Sequence, residues 1–442
     1  MDLIEKIRQA GIVGAGGAGF PTYFKLFSAK GKVDTYIINA AECEPLLQVD
    51  KQILKFYAEQ VFTAAEEVGK FLEVKRIVLG IKRKYYQTIE IIKNILPKFD
   101  NRIEIYYLDN FYPAGDEFVL VYEVTKRIVP EAGLPLDVGV VVNNVVTLLN
   151  IYYALFENKP VITRPISVLG EVRKPKTIIV PIGTLIKDVI SFCGGTKIED
   201  YIVIDGGPMM GKIVSINDVV TKRTSAILVL PKDHPVVRMK ILPKHYFLYQ
   251  TKSACEQCRD CTEICPRYLL GHNFECHKIQ RNMNYNIDDA ELLSEAFLCS
   301  ECSLCIWICP MNLLPTRVNQ LVKQMLTEKK VRYVRKSIPI NVRSMREYRK
   351  VPPERIIARF DLQKYVDPAE IELDTKEVNF LKIPMVQHIG VPAKPVVKKD
   401  DFVDKGQLIA DVDKDKLGVG IHSPIKGKVT EVTDKYVCIE GS

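Results

Sequence analysis

The feature that most constrains this chain is a pair of cysteine runs, each with the spacing C-x2-C-x2-C-x3-C-P. Bacterial ferredoxins have this spacing, and in two-cluster ferredoxins the fourth cysteine of each run ligates the cluster of the other run. The sequence therefore predicts two [4Fe-4S] clusters. One cluster would take Cys255, Cys258, Cys261 and Cys309, and the other would take Cys299, Cys302, Cys305 and Cys265.

Two other uses of these cysteines are less consistent with the sequence. Zinc sites usually pair two short C-x-x-C motifs across a longer loop, whereas here four cysteines share one run, and proline follows the fourth in both runs. Disulfides belong to exported proteins, and the N-terminus has no basic region followed by an apolar core, as a secretory signal would. The spacing thus favours iron–sulfur ligation.

Composition and charge exclude several classes of protein. Hydrophobic residues make up 47% of the chain and charged residues 26%, which are ordinary globular proportions. No apolar run reaches the roughly 18–20 residues of a membrane span. The net charge of +8 is modest, so it is compatible with an acidic protein partner and gives no indication of nucleic-acid binding.

The chain is predicted to be a multidomain α/β protein, because strand-length apolar runs alternate with helix-length segments before the cysteines. Strands are expected at 34–40, 76–79, 103–108 and 139–142, with helices at 51–71 and 84–96. The predicted domains are an α/β domain at 1–165, a β-grasp domain at 166–232, a helical two-cluster domain at 233–345, a linker at 346–375 and a barrel-sandwich at 376–442.

A glycine-rich loop near the N-terminus, GIVGAGGAGFP at 11–21, would let backbone amides approach a phosphate. Alone it is a weak signal, since many glycine-rich loops are only turns and no strand precedes this one. Three further motifs follow it in the chain: NAAECEPLLQVD at 39–50, YPAGDE at 112–117 and VVNNVVTL at 141–148.

Together these motifs resemble the flavin- and NADH-binding domain shared by the 51-kDa-type component of respiratory complex I and the RnfC component of Rnf complexes. The domain order is more similar to the family of PduS-type cobalamin reductases, and the resemblance covers essentially the whole chain. It implies a Rossmann-like FMN domain, an SLBB β-grasp domain, a ferredoxin-like two-cluster domain and a C-terminal barrel-sandwich hybrid.

The resemblance also implies cofactor-binding positions. FMN would contact the glycine-rich loop, the end of the first strand and the two later motifs, and nicotinamide nucleotide would lie on the Phe20 side with Glu44 and Glu117. The implied positions are Gly14, Gly16, Gly17, Phe20, Lys25, Asn39, Glu42, Glu44, Tyr112, Gly115, Asp116, Glu117, Asn143, Asn144 and Thr147. No catalytic side chain is expected beyond the flavin itself.

The chain departs from the complex I pattern at two positions, where it has Ala15 in place of arginine and Ala41 in place of aspartate. The first change removes an anion contact and the second an acceptor near the flavin. Glu42 and Glu44 have a second interpretation as acids that stabilise a helix start. Cys43, between them, would either touch the flavin or pack in the core.

The family resemblance implies NADH-dependent electron transfer through FMN and two [4Fe-4S] clusters to a low-potential acceptor, with cobalamin reduction as the first interpretation. One alternative is an electron-input component of an Rnf-like, bifurcating or amino-acid-reductase complex, and another is a cluster-bearing scaffold without flavin. Expected partners are an adenosyltransferase, a flavoprotein or a ferredoxin-like protein, with homo- or hetero-oligomers left open. The expected location is the cytoplasm, a bacterial microcompartment or the periphery of a membrane complex.

Overall fold

A computed structural model describes residues 2–99, 102–285, 289–335 and 341–441. The predicted domains also include residues 1, 100–101, 286–288, 336–340 and 442, which lie outside the described residues. Within the described part of the chain, no helix combines the length and apolar character needed to cross a bilayer.

The first unit is a parallel sheet with six helices around it. Its strands are β1 (Thr35–Ala40), β2 (Arg76–Lys82), β3 (Ile103–Leu108) and β4 (Val140–Asn144). Its helices are α1 (Leu3–Gln9), α2 (Thr22–Ala29), α3 (Val49–Leu72), α4 (Tyr86–Ile95), α5 (Glu117–Thr125) and α6 (Val145–Phe156). All four predicted strands and both predicted helices are present, which confirms the α/β prediction for this region.

Both faces of this sheet are buried, which explains why its strands read as continuous apolar runs. Tyr36 and Ile38 pack on the α3 side, whereas Ile37 packs on the α5 side. The strand order is β3-β2-β1-β4, so the order reverses between β1 and β4. In doubly wound sheets ligands bind outside the carboxyl ends of the strands at this switch point.

The second unit is a mixed sheet with one helix, as a β-grasp requires. It contains β5 (Thr163–Gly170), β6 (Lys176–Pro181), α7 (Ile186–Phe192), β7 (Tyr201–Asp205), β8 (Lys212–Val214) and β9 (Ala226–Pro231). A sixth strand, β10 (Ile371–Thr375), pairs in parallel with β6 at the sheet edge. The predicted linker at 346–375 therefore contributes a strand to this sheet, a long-range pairing that no local pattern indicates.

The third unit is helical and carries both cysteine runs. Its helices are α8 (Pro235–Ile241), α9 (Lys244–Ala254), α10 (Asp260–Glu263), α11 (Pro266–Leu269), α12 (Cys276–Tyr285), α13 (Ala290–Ser294), α14 (Leu304–Ile308), α15 (Pro315–Glu328) and α16 (Pro353–Arg359). Cys265 caps α11, and Pro266 occupies its first turn, as the sequence predicts. Cys309 instead ends α14, and the next helix starts only at Pro315, because Asn312 turns the chain with a φ of 51°.

The fourth unit consists of two small antiparallel sheets packed around one apolar core. Its strands are β11 (Phe380–Pro384), β12 (Lys394–Pro395), β13 (Phe402–Val403), β14 (Leu408–Asp411), β15 (Ile421–His422), β16 (Gly427–Val432) and β17 (Tyr436–Gly441). They form the sheets β11-β17-β16-β13 and β12-β14-β15, which confirms the predicted barrel-sandwich.

One buried lysine joins three of the units. Lys222, in the loop before β9, is 2% exposed, and its Nζ donates to the carbonyls of Gly11 at 2.7 Å and Gly420 at 2.9 Å. Burial lowers the pKa of Lys222 to about 7. The uncharged amine has two N–H groups, enough for both carbonyls, so the junction can persist when the lysine is neutral.

This junction makes stability depend on pH. Between pH 7 and the ordinary lysine pKa of 10.5 the unfolded chain binds more protons at this position, so stability rises with pH. Lys222→Met is expected to remove a slope of up to about 1.4 kcal/mol per pH unit in that window. Urea midpoints of both proteins across the window measure it, with the exposed Lys426→Met as control. Parallel pH profiles for Lys222→Met and wild type would contradict the assignment.

Candidate functional site

The sheet's switch point lies between two asparagines. Asn39 near the end of β1 pairs in register with Asn144 at the end of β4. The glycine-rich loop crosses this edge and is closed by a hydrogen bond from Gly14 N to Phe20 O of 2.9 Å. It is tied to α6 because Ala15 N donates to Thr147 Oγ1 at 2.9 Å. Loop and strand ends thus form one cleft.

The loop itself is shaped for close backbone approach. Gly16 and Gly17 are exposed, and Gly17 has a φ of 107°, which residues with a side chain avoid. An added Cβ at Gly17 would meet no atom within 4 Å, so the space above it is open. Such a loop can present N–H groups to a phosphate.

Lys25 lies on α2, the helix that follows the glycine-rich loop, and connects it to the other side of the cleft. Its Nζ donates to Glu117 Oε1 at 2.6 Å, at the start of α5, and to Val142 O at 2.7 Å, within β4. The Lys25 side chain is 29% exposed. Lys25, predicted to contact FMN, and Glu117, predicted on the nicotinamide side, therefore form one ion pair beside β4.

Asn39 and Gly115 form the floor of the cleft. Asn39 Nδ2 donates to Gly115 O at 2.9 Å, and Asn39 Oδ1 accepts from Ala41 N at 3.1 Å. A Cβ at Gly115 would lie 3.2 Å from both Ala41 Cβ and Cys43 Sγ, so glycine allows the loop to pack closely against them. Burial raises the pKa of Cys43 to about 11, which keeps its thiol protonated at neutral pH.

In the motif at 141–148, Asn144 lines the cleft and Asn143 lies beneath it. Asn143 is buried and its Oδ1 accepts from Tyr36 OH at 3.2 Å. Asn144 caps α6 by accepting from Val146 N at 2.9 Å, and its Nδ2 donates to Asp50 at 2.8 Å. The two asparagines thus orient the N-terminal end of α6, with its free N–H groups, toward the glycine-rich loop.

Glu42 and Glu44 are engaged elsewhere in the protein. Glu42 accepts from the first amides of α3, Asp50 N at 3.0 Å and Lys51 N at 3.4 Å, as the helix-start interpretation expects. Burial, with the nearby Asp50 carboxylate adding to it, raises the pKa of Glu42 to about 8. Glu44 accepts from Met209 N and Met210 N in the second unit, and burial raises its pKa to about 7.

Tyr112 and Asp116 point toward the third unit. Tyr112 is buried, and its hydroxyl donates to Cys302 O at 2.7 Å. Asp116 caps α5 and pairs with Arg267 through two bonds of 2.5 and 2.9 Å. Arg267 is two residues after Cys265 in sequence. The loop at 112–117 therefore contacts the third unit beside Cys302 and Cys265.

The eight cysteines line two hollows in the predicted combination. Cys255, Cys258, Cys261 and Cys309 line one and are called the outer ligand set. Cys265, Cys299, Cys302 and Cys305 line the other, together with Cys261 and Cys276, and these first four are called the inner ligand set. Among the described residues no three His, Cys, Asp or Glu side chains converge enough to hold a single metal ion.

The two sets differ in their distance from solvent. Three members of the inner set are buried and Cys299 is half-buried, whereas Cys258 of the outer set is exposed. The first unit contacts the inner set through Tyr112, and the second unit does so through Met209, whose carbonyl accepts from Ser303 Oγ at 3.1 Å. The inner set is therefore the one beside which the first and second units pack.

Residues outside the motifs complete this arrangement. Thr316 Oγ1 lies 3.0 Å from Cys305 Sγ, and Asn319 Nδ2 lies 3.6 Å from Cys299 Sγ; both lie on α15. Buried Arg164 reaches the glycine-rich loop, with Nη2 donating to Ala15 O at 2.6 Å. No sequence motif marks these residues, since polar residues are frequent in α15 and an arginine on β5 does not by itself identify a partner.

Fold and site together define a flavin- and iron–sulfur-dependent electron-transfer protein. Family models match along the chain: the Nuo51 FMN-binding domain at 7–153, the SLBB domain at 165–212, the 4Fe-4S dicluster domain at 254–314 and the RnfC barrel sandwich hybrid domain at 367–441. The cofactors are therefore FMN and two [4Fe-4S] clusters, as the sequence predicts.

Whole-chain comparison gives the family. The chain is 38% identical to the cobalamin reductase PduS of Citrobacter freundii, covering 98% of this chain and 95% of that protein. It is 37% identical to the PduS of Salmonella typhimurium, covering 99% and 96%. The chain belongs to the PduS cobalamin reductase family.

Two further comparisons are more distant. One component of the proton-translocating ferredoxin:NAD(+) oxidoreductase complex of Clostridium ljungdahlii is 38% identical over 61% of this chain and 56% of that protein. A chain of NAD+-reducing [NiFe]-hydrogenase in the H2-reduced state matches with a TM-score of 0.51 at 19% identity, covering 76% of this chain and 63% of the hydrogenase chain. The latter match describes the fold only.

Proposed function

We propose that this chain is an NADH-dependent oxidoreductase that passes electrons from its FMN domain to the inner cluster, then to the outer cluster, and finally to a corrinoid. FMN supplies the conversion between two-electron hydride chemistry and single-electron transfer. The observation that carries the proposal is the bond from Tyr112 OH to Cys302 O. This contact brings the flavin domain directly against an inner-cluster ligand.

The residues of the cleft fit this cofactor. The open glycine loop and the N-terminal end of α6 suit a phosphate, and Asn39 with Gly115 forms the floor of the cleft between them. Lys25, held in place by its bonds to Glu117 and Val142 O, would place its own positive charge at the edge of the cleft. We assign the flavin-binding role to these residues, while Asp116 and Tyr112 position the cluster domain.

The corrinoid acceptor follows from the family. Both PduS relatives are named cobalamin reductases and match this chain nearly end to end. The exposed Cys258 gives the outer cluster a route to an acceptor at the surface. A corrinoid held by an adenosyltransferase would meet it there, and the cytoplasmic location stays a prediction.

A second candidate is an electron-input component of a larger complex. Components of two ferredoxin:NAD(+) oxidoreductase complexes share 36–38% identity with 61–64% of this chain. In that role the exposed outer cluster would serve a protein partner, and copurifying proteins would identify it. The flavin-free scaffold is not favoured, since the FMN-binding domain matches over 7–153.

Anaerobic titration with NADH, followed by absorbance and EPR, tests the proposal. We expect loss of the oxidised flavin absorbance, then signals of reduced clusters, and then cob(I)alamin when cob(II)alamin is added. NADPH serves as the comparison donor. Clusters that respond to dithionite and not to NADH would refute the donor assignment, and reduced clusters that leave cob(II)alamin unchanged would favour the role in a larger complex.

A further inference from the structure

Arg164, on β5 of the second unit, has an unused hydrogen-bonding group beside the flavin cleft. It is 2% exposed. Its Nε donates to Thr224 O at 2.5 Å and its Nη2 to Ala15 O at 2.6 Å. Its Nη1 is buried and has no hydrogen-bond partner within the described ranges. Buried polar groups nearly always have partners, so Nη1 indicates an acceptor still to be bound.

The position of Nη1 follows from the bonds of its neighbour. Nη1 and Nη2 share one carbon, so Nη1 lies next to the Ala15 carbonyl in the glycine-rich loop. The same loop lies against the start of α6, since a Cβ added at Gly16 would be 3.6 Å from Asn144 Cβ. Asp50, which is within electrostatic range of the guanidinium, accepts from Asn144 Nδ2 at the start of α6. The free N–H groups of Arg164 therefore adjoin the loop and lie near the start of α6, the two elements that suit a phosphate.

The charged groups around Arg164 leave its Nη1 available to an anion. Asp50 and Asp205 lie within electrostatic range of the guanidinium. Asp205 accepts from Thr224 Oγ1 at 3.1 Å and is itself faced by Arg223 and Lys212. Asp50 is engaged by Asn144 Nδ2 and Asp205 by Thr224 Oγ1, so neither carboxylate bonds to Nη1, which stays available to an anion.

We propose that Arg164 binds the terminal phosphate of the flavin nucleotide from the SLBB side of the cleft. An arginine suits this role because its planar fork matches phosphate oxygens with two parallel bonds. Arg164 supplies the cation that the loop lacks at Ala15, and it does so while bound to Ala15's own carbonyl. The inference rests on the proposed function only in requiring that the chain binds FMN.

The test compares two flavins that differ by the phosphate alone. Full-length protein with both clusters in place is depleted of flavin and titrated with FMN and with riboflavin, following the quenching of flavin fluorescence. Arg164→Gln is expected to raise the Kd for FMN about tenfold or more, as for loss of a charged hydrogen bond, and to leave the Kd for riboflavin within about twofold. Arg164→Lys, which keeps the charge, should be intermediate for FMN.

A matched control is Arg173→Gln, since Arg173 is an exposed arginine of the same unit that donates to Thr196 O. Equal weakening of FMN and riboflavin in Arg164→Gln would show that Arg164 only holds the loop, and would overturn the proposal. Unchanged FMN affinity in both Arg164 variants would overturn it as well. If the wild-type chain binds neither flavin, the proposed function itself fails, a result separate from the first two.

Discussion

Cys309→Ala is expected to give the same cluster spectra as Cys255→Ala, although the two cysteines belong to different runs. Both line the outer hollow, so either change should remove the outer cluster and about half of the iron and sulfide. Cys265→Ala should in turn match Cys299→Ala, since both line the inner hollow. Iron and sulfide analysis with EPR of the dithionite-reduced proteins measures the pairing.

The same variants test the order of electron transfer. NADH should still reduce the inner cluster in Cys309→Ala, while corrinoid reduction is lost. In Cys265→Ala, NADH should fail to reduce the remaining outer cluster, which dithionite still reduces. Cys193→Ala, at a buried cysteine of the SLBB core, controls for loss of a thiol. A Cys309→Ala spectrum that matches Cys299→Ala would refute the exchange of fourth ligands.

The cluster prediction could be made from sequence because its information is local. Three of the four ligands of each set fall within seven consecutive residues, 255–261 and 299–305, and the structure lines two hollows with the predicted combination. The sheet strands were predictable for a related reason. Burial on both faces requires apolar residues at every position, and such runs are visible in one sequence.

The roles of Glu44, Tyr112 and Asp116 could not be predicted in this way. Their partners, Met209, Cys302 and Arg267, lie 165, 190 and 151 residues away. A motif places such residues near a cofactor, but a single sequence does not show which side chains turn away from it to hold a neighbouring domain. The pairing of β10 with β6 is hidden for the same reason.

Arg267→Met is expected to uncouple the flavin domain from the clusters. The pair of Arg267 and Asp116 is nearly buried, with 9% and 13% of the side chains exposed, and the guanidinium also lies 4.0 Å from the Phe118 ring centre. Removing one partner leaves a buried carboxylate without its counter-charge, which costs about 3–5 kcal/mol. The thermal midpoint should therefore fall clearly below that of wild type.

The kinetic effect should be separable from the loss of stability. At a temperature where Arg267→Met remains folded and dithionite still reduces both clusters, the rate of cluster reduction by NADH should fall roughly tenfold or more, because small misplacements of reacting groups are costly. The control is Arg349→Met, whose ion pair with Glu263 is about a third exposed on each side and contributes about 1 kcal/mol at most. The cycle with Asp116→Ala then measures the coupling. Full additivity would mean that the pair does not act as a unit, and an unchanged rate would mean that other contacts, such as those of Tyr112 with Cys302 O and of His272 with Val129 O, align the domains.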